Sequence, residues 1–358
     1  MKFSPLQLSF VMILFIGISD QIIFLPYLQN IAKRDSWICI LIAYVVLIFW
    51  GIIIYLILKK MGSQKPFYWI KGRAGAAVAG IVLSLLFVYI LFIGMASFYQ
   101  LIQSIKIFFL PITPTSIVAL SFLLVCLGAT RGGFKTIVYL SGIILPLVLI
   151  LAIVVSIATM KNKEYSFLFP VFIHGYKPII KGTAIVLGGK VDLLILLLLQ
   201  YQLKKSYSIV HFLGLITILI GLVIVPVMDY TASFGPNVAG NLRFPAFEQW
   251  RLITLGSYIT RLDFLAVFLI LSGTTIKVSL CLFLLTDLIK RNSVQIAKYM
   301  KFVFSLVFFL TIFINSDLWV QYIVEKYIYP YLFIYGLIIS ILLLIISYLP
   351  ARKGIQPL

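Results

Sequence analysis

The sequence predicts an all-α polytopic membrane protein of about ten transmembrane helices in two five-helix halves, and three observations predict it. The first is composition: 63% of the 358 residues are hydrophobic and 11% are charged. Soluble domains are about half apolar and about a quarter charged. The second is that continuous apolar runs recur, separated by polar connections; a membrane β-barrel would show short alternating segments instead. The third is that two of these runs, five apart in order, are interrupted at mid-length by glycine beside a charge. Matched interruptions in two halves point to an inverted repeat with a site at its centre. The chain reads as one integral membrane domain, with a first repeat over 6–159 and a second over 178–348.

The first span, 6–32, is LQLSFVMILFIGISDQIIFLPYLQNIA. Its middle is Gly17, Ile18, Ser19 and Asp20. An ionised carboxylate at that depth costs several kcal/mol unless paired, hydrated or protonated. The glycine weakens the helix by roughly 1 kcal/mol relative to alanine. The segment therefore reads as a helix broken halfway across the bilayer; the plainer alternative is a kink that turns Asp20 into a polar crevice. Lys2 and the apolar run also fit a signal peptide. Apolar character resumes at Ile23, Phe24 and Leu25, however, so the segment is expected to remain in the protein.

Spans two to five follow at 36–58, 76–105, 115–129 and 135–159, the last softened by Pro146. Spans seven to ten are read at 207–228, 258–289, 297–315 and 319–348. Basic residues crowd the short connections on one side, as in Lys59, Lys60, Lys65, Lys71 and Arg73 after span two. The opposite side carries fewer. The bias places both termini in the cytoplasm, and the same placement accounts for the formal charge of +19 without invoking nucleic acid.

The sixth span, 178–203, carries the second break: Gly188 and Gly189 at mid-length, followed at once by Lys190 and Asp192. Span eight holds a third polar cluster. Asp263, Thr274 and Lys277 fall within an arc of about 60° at about 100° per residue. Lys277 lies too deep to snorkel, so it must face protein or water. It is either a site or coupling residue, or one half of a structural ion pair. The connection 229–256 is the longest. Within it Phe247, Trp250 and Ile253 form one face of a short amphipathic helix, with Glu248 and Arg251 on another. It reads equally as an outer lid and as an interfacial anchor.

Cys39, Cys126 and Cys281 lie singly inside apolar spans, and His174 and His211 are isolated, so neither a disulfide framework nor a metal site is expected. No nucleotide-binding loop occurs, no cofactor is implied, and no nucleophile–base pair suggests an enzyme.

The chain resembles the B subunit of bacterial spore germinant receptors, a branch of the amino acid–polyamine–organocation transporter superfamily. The stretches that carry the resemblance are Arg243-Phe244-Pro245, Arg251-Leu252-Ile253, Leu255-Gly256 and Arg261-Leu262-Asp263, running on into Ser272-Gly273 and Ile276-Lys277. Gln7, Gly17 and Leu25-Pro26 match more weakly. The resemblance implies a five-plus-five inverted-repeat (LeuT-like) fold, with the ligand held between broken spans one and six and facing spans three and eight. It also implies a small-molecule germinant of amino acid or nucleoside class, an inner spore membrane location, and assembly with an A subunit and a lipoprotein C subunit. Lys190 beside the break departs from a typical permease and argues against a sodium site like that of sodium-coupled relatives. Three readings remain open on the residues: a ligand-sensing receptor subunit, a working transporter of amino acids or amines, and a structural subunit with a vestigial pocket. The candidate ligand-binding residues are Gly17, Ile18, Ser19, Asp20, Gly188, Gly189, Lys190, Asp192, Thr274 and Lys277.

The charge bias gives a direct expectation. A reporter fused after Leu358 reads cytoplasmic and one placed within 161–177 reads external; an external signal from the terminal fusion contradicts the ten-span map.

Overall fold

The computed structural model describes residues 2–18, 24–253, 262–289, 294–314 and 328–350. Helix dominates, and no β-strand occurs among these residues. In chain order, α1 (Pro5–Met12) runs into a π-helical turn at Ile13–Ile18, and the chain continues through α2 (Leu25–Ala32) and α3 (Ser36–Met61). Then come α4 (Pro66–Ala74), α5 (Ala76–Phe108), α6 (Thr115–Arg131) and α7 (Phe134–Ala158). Helix α8 (Tyr176–Gly189) passes through a 3-10 segment, Lys190–Leu194, into α9 (Ile195–Leu199). After α10 (Ile209–Phe234) lie two short helices, α11 (Pro236–Ala239) and α12 (Pro245–Arg251). The chain ends with α13 (Phe264–Ile289), α14 (Val294–Leu310) and α15 (Tyr329–Tyr348).

Seven helical stretches among the described residues are long and apolar enough to cross a membrane: Leu25–Met61, Ala76–Phe108, Phe134–Ala158, Tyr176–Gln202, Ile209–Phe234, Phe264–Ile289 and Tyr331–Tyr348. Shorter apolar helices at Pro5–Gly17, Thr115–Arg131 and Tyr299–Phe313 fall in the expected first, fourth and ninth spans. The protein is thus a multi-pass helical membrane protein. Its most enclosed stretch is Tyr176–Gln202, and Val186–Leu199 is buried throughout. A helix that is apolar on all sides and enclosed by protein belongs at the centre of a bundle.

Two packing groups surround that centre. Helix α13 packs on α5, α6, α7 and α14, while α8 packs on α2, α3 and α15, with α10 against α3. The π turn Ile13–Ile18 touches both α13 and α10, so the first interrupted span lies where the groups meet.

The N-terminus is fixed by local chemistry. Ser4 and Gln7 form a reciprocal capping box at the start of α1, with Pro5 in its first turn. Just before it, Phe3 N donates to Gln202 O at 2.9 Å and Lys204 N to Phe3 O at 2.8 Å. The start of span one is therefore tied by backbone to the end of span six. Hydropathy carries no trace of this link.

Three boundaries differ from the expectation. Helix α10 runs to Phe234, six residues past the expected end at 228, and so takes Asp229 into the helix. The Lys163 ammonium lies 2.6 Å from that carboxylate, with both side chains nearly enclosed, so the charge is partnered where it sits. Helix α5 continues to Phe108. The connection after span two contains α4, whose aromatic and basic composition makes no apolar run.

The expected amphipathic helix in 229–256 is α12. Phe247 and Trp250 are buried, as is Ile253 just beyond it, while Arg251 pairs with Glu248 at 3.1 Å on the exposed side. Phe247 stacks on Phe108 with ring centroids 4.8 Å apart, which holds α12 against the end of α5.

Candidate functional site

The site begins with a change of helix geometry. Gly188 and Gly189 are poor helix formers, each by about 1 kcal/mol relative to alanine, and α8 gives way to a 3-10 helix at Lys190. The backbone at these glycines does not unwind. Gly189 sits at φ −64° and ψ −22°, and the Lys190 amide bonds back to Leu187 and Gly188. The helix tightens without opening, and its amides stay in use.

The glycines matter through what approaches them. A Cβ on Gly188 would lie 2.1 Å from the carbonyl oxygen of Tyr329 on α15, and one on Gly189 would lie 2.8 Å from the Phe24 ring. Close packing of α8 on α15 therefore requires glycine at 188.

In a 3-10 helix successive residues turn by about 120°, so positions two apart face different ways. Lys190 accordingly lies with its ammonium 5.4 Å from the Phe24 ring centroid. Asp192 faces α5 and α13. Its Oδ1 accepts the Tyr89 hydroxyl at 2.5 Å, and its Oδ2 lies 2.9 Å from Lys277 Nζ. The Asp192 and Lys277 side chains are 4% and 3% exposed, so water screens this pair little. Lys277 Nζ also sits 5.2 Å from the Phe15 ring centroid, on the π turn. Tyr89 stacks on Tyr335 of α15 at 5.7 Å. One carboxylate thus joins the sixth span to α5 and α13, and its lysine reaches the first.

Beside this network is a small cavity lined by Tyr89, Ser97, Gly188, Gly189, Asp192, Lys277 and Tyr329, among others. Its volume is about 10 Å³, room for about one water molecule. Little free space is left beside the polar centre.

Of the residues singled out in the sequence, Gly188, Gly189, Asp192 and Lys277 line this one cavity. Lys190 is buried on the other side of the 3-10 segment, by Phe24. Gly17 is buried in the π turn, where a Cβ would lie 2.7 Å from Leu222. Ile18 ends that turn, and Ser19 and Asp20 lie outside the described residues, as do Leu255, Gly256 and Arg261. Thr274 is buried one helical turn before Lys277 but is not among the cavity-lining residues. Ser272 and Thr275 donate to the carbonyls of Phe268 and Leu271, four residues back in each case. Asp263 shares the Lys277 face only in projection. It precedes α13, about 20 Å along the axis at 1.5 Å per residue, and its carboxylate lies 3.8 Å from Arg251 Nε.

Sequence reasoning did not single out Tyr89 or Ser97. Both are hydroxyl residues near the middle of an apolar span, and that polarity at depth was the available signal. Among the described residues, no three His, Cys, Asp or Glu side chains gather as metal ligands.

Fold and site together define a multi-pass helical membrane protein with a buried, hydrogen-bonded ion pair where its most enclosed helix changes geometry. The chain belongs to the spore germination protein family, whose model, described as "Spore germination protein", matches residues 2–317. It is 33% identical over 284 residues to spore germination protein XB of Bacillus anthracis, covering 79% of this chain and 80% of that one. It is 25% identical to the putative spore germination protein YfkT of Bacillus subtilis (strain 168), over 65% of this chain and 64% of the other. Identity is also 25% to spore germination protein A2 of the same organism, over 64% and 63%.

The two glycines are expected to respond differently to one added methyl group. Gly188→Ala meets a backbone carbonyl that moves only with α15, whereas Gly189→Ala meets a ring that can turn. Overpacking costs about 1–3 kcal/mol, so the thermal midpoint of purified protein falls further for Gly188→Ala. Equal midpoints contradict the close approach of α15.

Proposed function

We propose that this chain is the ligand-sensing membrane subunit of a spore germinant receptor. It binds a small germinant of amino acid or nucleoside class in a transporter-like pocket and triggers germination. In this reading it lies in the inner spore membrane with both termini cytoplasmic, and assembles with A-type and C-type subunits. Germination names among its relatives support the role. The two packing groups, one around α13 and one around α3 and α8, support a five-plus-five LeuT-like arrangement.

The observation that carries the reading is the Tyr89–Asp192–Lys277 network at the geometry change of the sixth span. A sensor needs two states with different ligand affinity. Here the closed state is held by a carboxylate whose two oxygens have partners on two other helices. A ligand that offers its own carboxylate to Lys277, or its own donor to Asp192, replaces one of those partners and frees a helix to move. The germinant thereby acts through exchange of partners at Asp192, with no coupling ion needed in the step.

The test is Tyr89→Phe, which removes one donor to Asp192 and leaves every charge in place. Spores carrying this variant, and spores lacking the chain, are exposed to a panel of amino acids and nucleosides. The deletion abolishes the response to one class of germinant, and Tyr89→Phe shifts that response to a different concentration at normal protein level. An unchanged response in both strains, with concentrative uptake of a labelled amino acid by the reconstituted protein, contradicts the receptor reading and makes the chain a transporter.

A further inference from the structure

A second cavity, of about 670 Å³, opens at the end of the bundle where α4, the start of α5 and the ends of the sixth span and α13 meet. Its lining is both apolar and charged. One side carries Leu83, Leu198, Leu284 and Leu288, with Tyr201 and Asp287 among them. The other carries Lys65 and Lys71, with Phe67 and Tyr68 of α4 between them.

The loop's basic residues are not equivalent. Arg73 donates to the carbonyls of Ser347 and Leu349 at 3.0 Å each, and Lys60 lies over the Tyr348 ring at 2.9 Å, so both fasten α4 and its approach to the end of α15. Trp69 and Ile70 are buried on the same helix, with the Trp69 indole donating to Lys60 O at 3.3 Å. With that side of α4 anchored, Phe67, Tyr68 and Lys71, spaced as neighbours on one helical face, line the cavity. Lys65 stands 5.1 Å from the Tyr201 ring centroid on the opposite wall. One acidic residue also lines the space, Asp287, whose Oδ2 accepts the Tyr201 hydroxyl at 2.7 Å. Two ammonium groups against one engaged carboxylate leave the described lining net positive.

We propose that this cavity binds an anionic phospholipid of the membrane, its phosphate against Lys65 and Lys71 and an acyl chain along Leu83, Leu284 and Leu288. The cavity's two-sided chemistry selects that ligand. A free phosphate has no use for an aliphatic wall, and a lipid tail alone has none for two lysines. Exposed aromatic rings at the boundary, here Phe67 and Tyr68, suit the headgroup level of a bilayer. The bound lipid holds α4 against the ends of the sixth span and α13, through the same cavity that contains the Tyr201–Asp287 bond. The assignment does not depend on the germinant reading, because it uses only the helix ends and their charges.

The test uses the full chain purified in mild detergent. Phosphatidylglycerol, phosphatidylethanolamine and phosphatidylcholine are titrated, and retained lipid is counted by native mass spectrometry. Each lysine near an anionic surface is worth about fivefold in affinity, so phosphatidylglycerol binds about ten- to thirtyfold more tightly than phosphatidylcholine. The Lys65→Gln, Lys71→Gln double variant loses that preference, whereas Lys59→Gln, in the last turn of α3 and outside the cavity lining, keeps it. If the double variant folds poorly, the single pair Lys71→Arg and Lys71→Gln decides: arginine retains the preference and glutamine weakens it. Equal binding of phosphatidylglycerol and phosphatidylcholine overturns the proposal, as does a preference unchanged in the variants. Tighter binding of phosphatidylethanolamine overturns the anionic assignment, and competition by glycerol phosphate at equal concentration overturns the lipid in favour of a free anion.

Discussion

The ion pair between Lys277 and Asp192 constrains the rest of this structure. A charge at membrane depth without a partner is among the costliest features a helix can carry. Two such charges can be kept only if the helices that bear them stay in register, here α13 and the 3-10 segment of the sixth span. Close packing follows from that requirement. The glycines at 188 and 189 let α15 and Phe24 approach the helix just before Asp192, and α5 brings Tyr89 to the second carboxylate oxygen. The pair is weak evidence for stability, because an apolar pair of similar size often does as well. Its value to the fold is that it specifies which helices meet.

A small cavity of about 10 Å³ beside that pair gives it mechanical meaning. Under the proposed reading, a ligand entering there must displace helices, so binding and movement are one event. The backbone supplies candidate levers. The first span passes through a π turn at Ile13–Ile18, packed on both helix groups, and its beginning is bonded through Phe3 to the end of the sixth. The two interrupted spans are thus joined at one end by backbone hydrogen bonds and approached at their centres by Lys277, which lies near both Phe15 and Asp192. The opposite end of the bundle carries α12, which is held by aromatic stacking on Phe108 and by the Arg251–Asp263 contact.

Much of this was legible in the sequence where the signal was local. Paired glycines followed by two charges marked the sixth span, and a spacing of three placed Phe247, Trp250 and Ile253 on one buried face. Lys277 announced itself by depth alone, and the structure pairs it with Asp192. What stayed hidden depends on contacts between distant segments. Nothing near Gly188 in the chain forecasts the carbonyl of Tyr329 against it, and nothing near Phe3 forecasts Gln202. Tyr89 was passed over because a lone tyrosine in an apolar span is ordinary until its hydroxyl is seen to meet a carboxylate. The form of the second break was hidden for a related reason: a 3-10 segment absorbs the change in geometry while the Lys190 amide stays bonded.

The most direct measurement of the central claim is a double-mutant cycle on the pair. The thermal stability of purified full chain is compared for the parent, Lys277→Met, Asp192→Asn and the combination. Each single change leaves the opposite charge enclosed, at a cost of about 3–5 kcal/mol for a fully buried pair. The account predicts that the double variant is markedly more stable than the sum of the single losses implies, with a coupling in the upper part of the range of about 0.5–3 kcal/mol seen for residues in contact. Losses that add within about 0.5 kcal/mol would contradict a direct bond between Lys277 and Asp192, and with it the partner exchange on which the proposed sensing step rests.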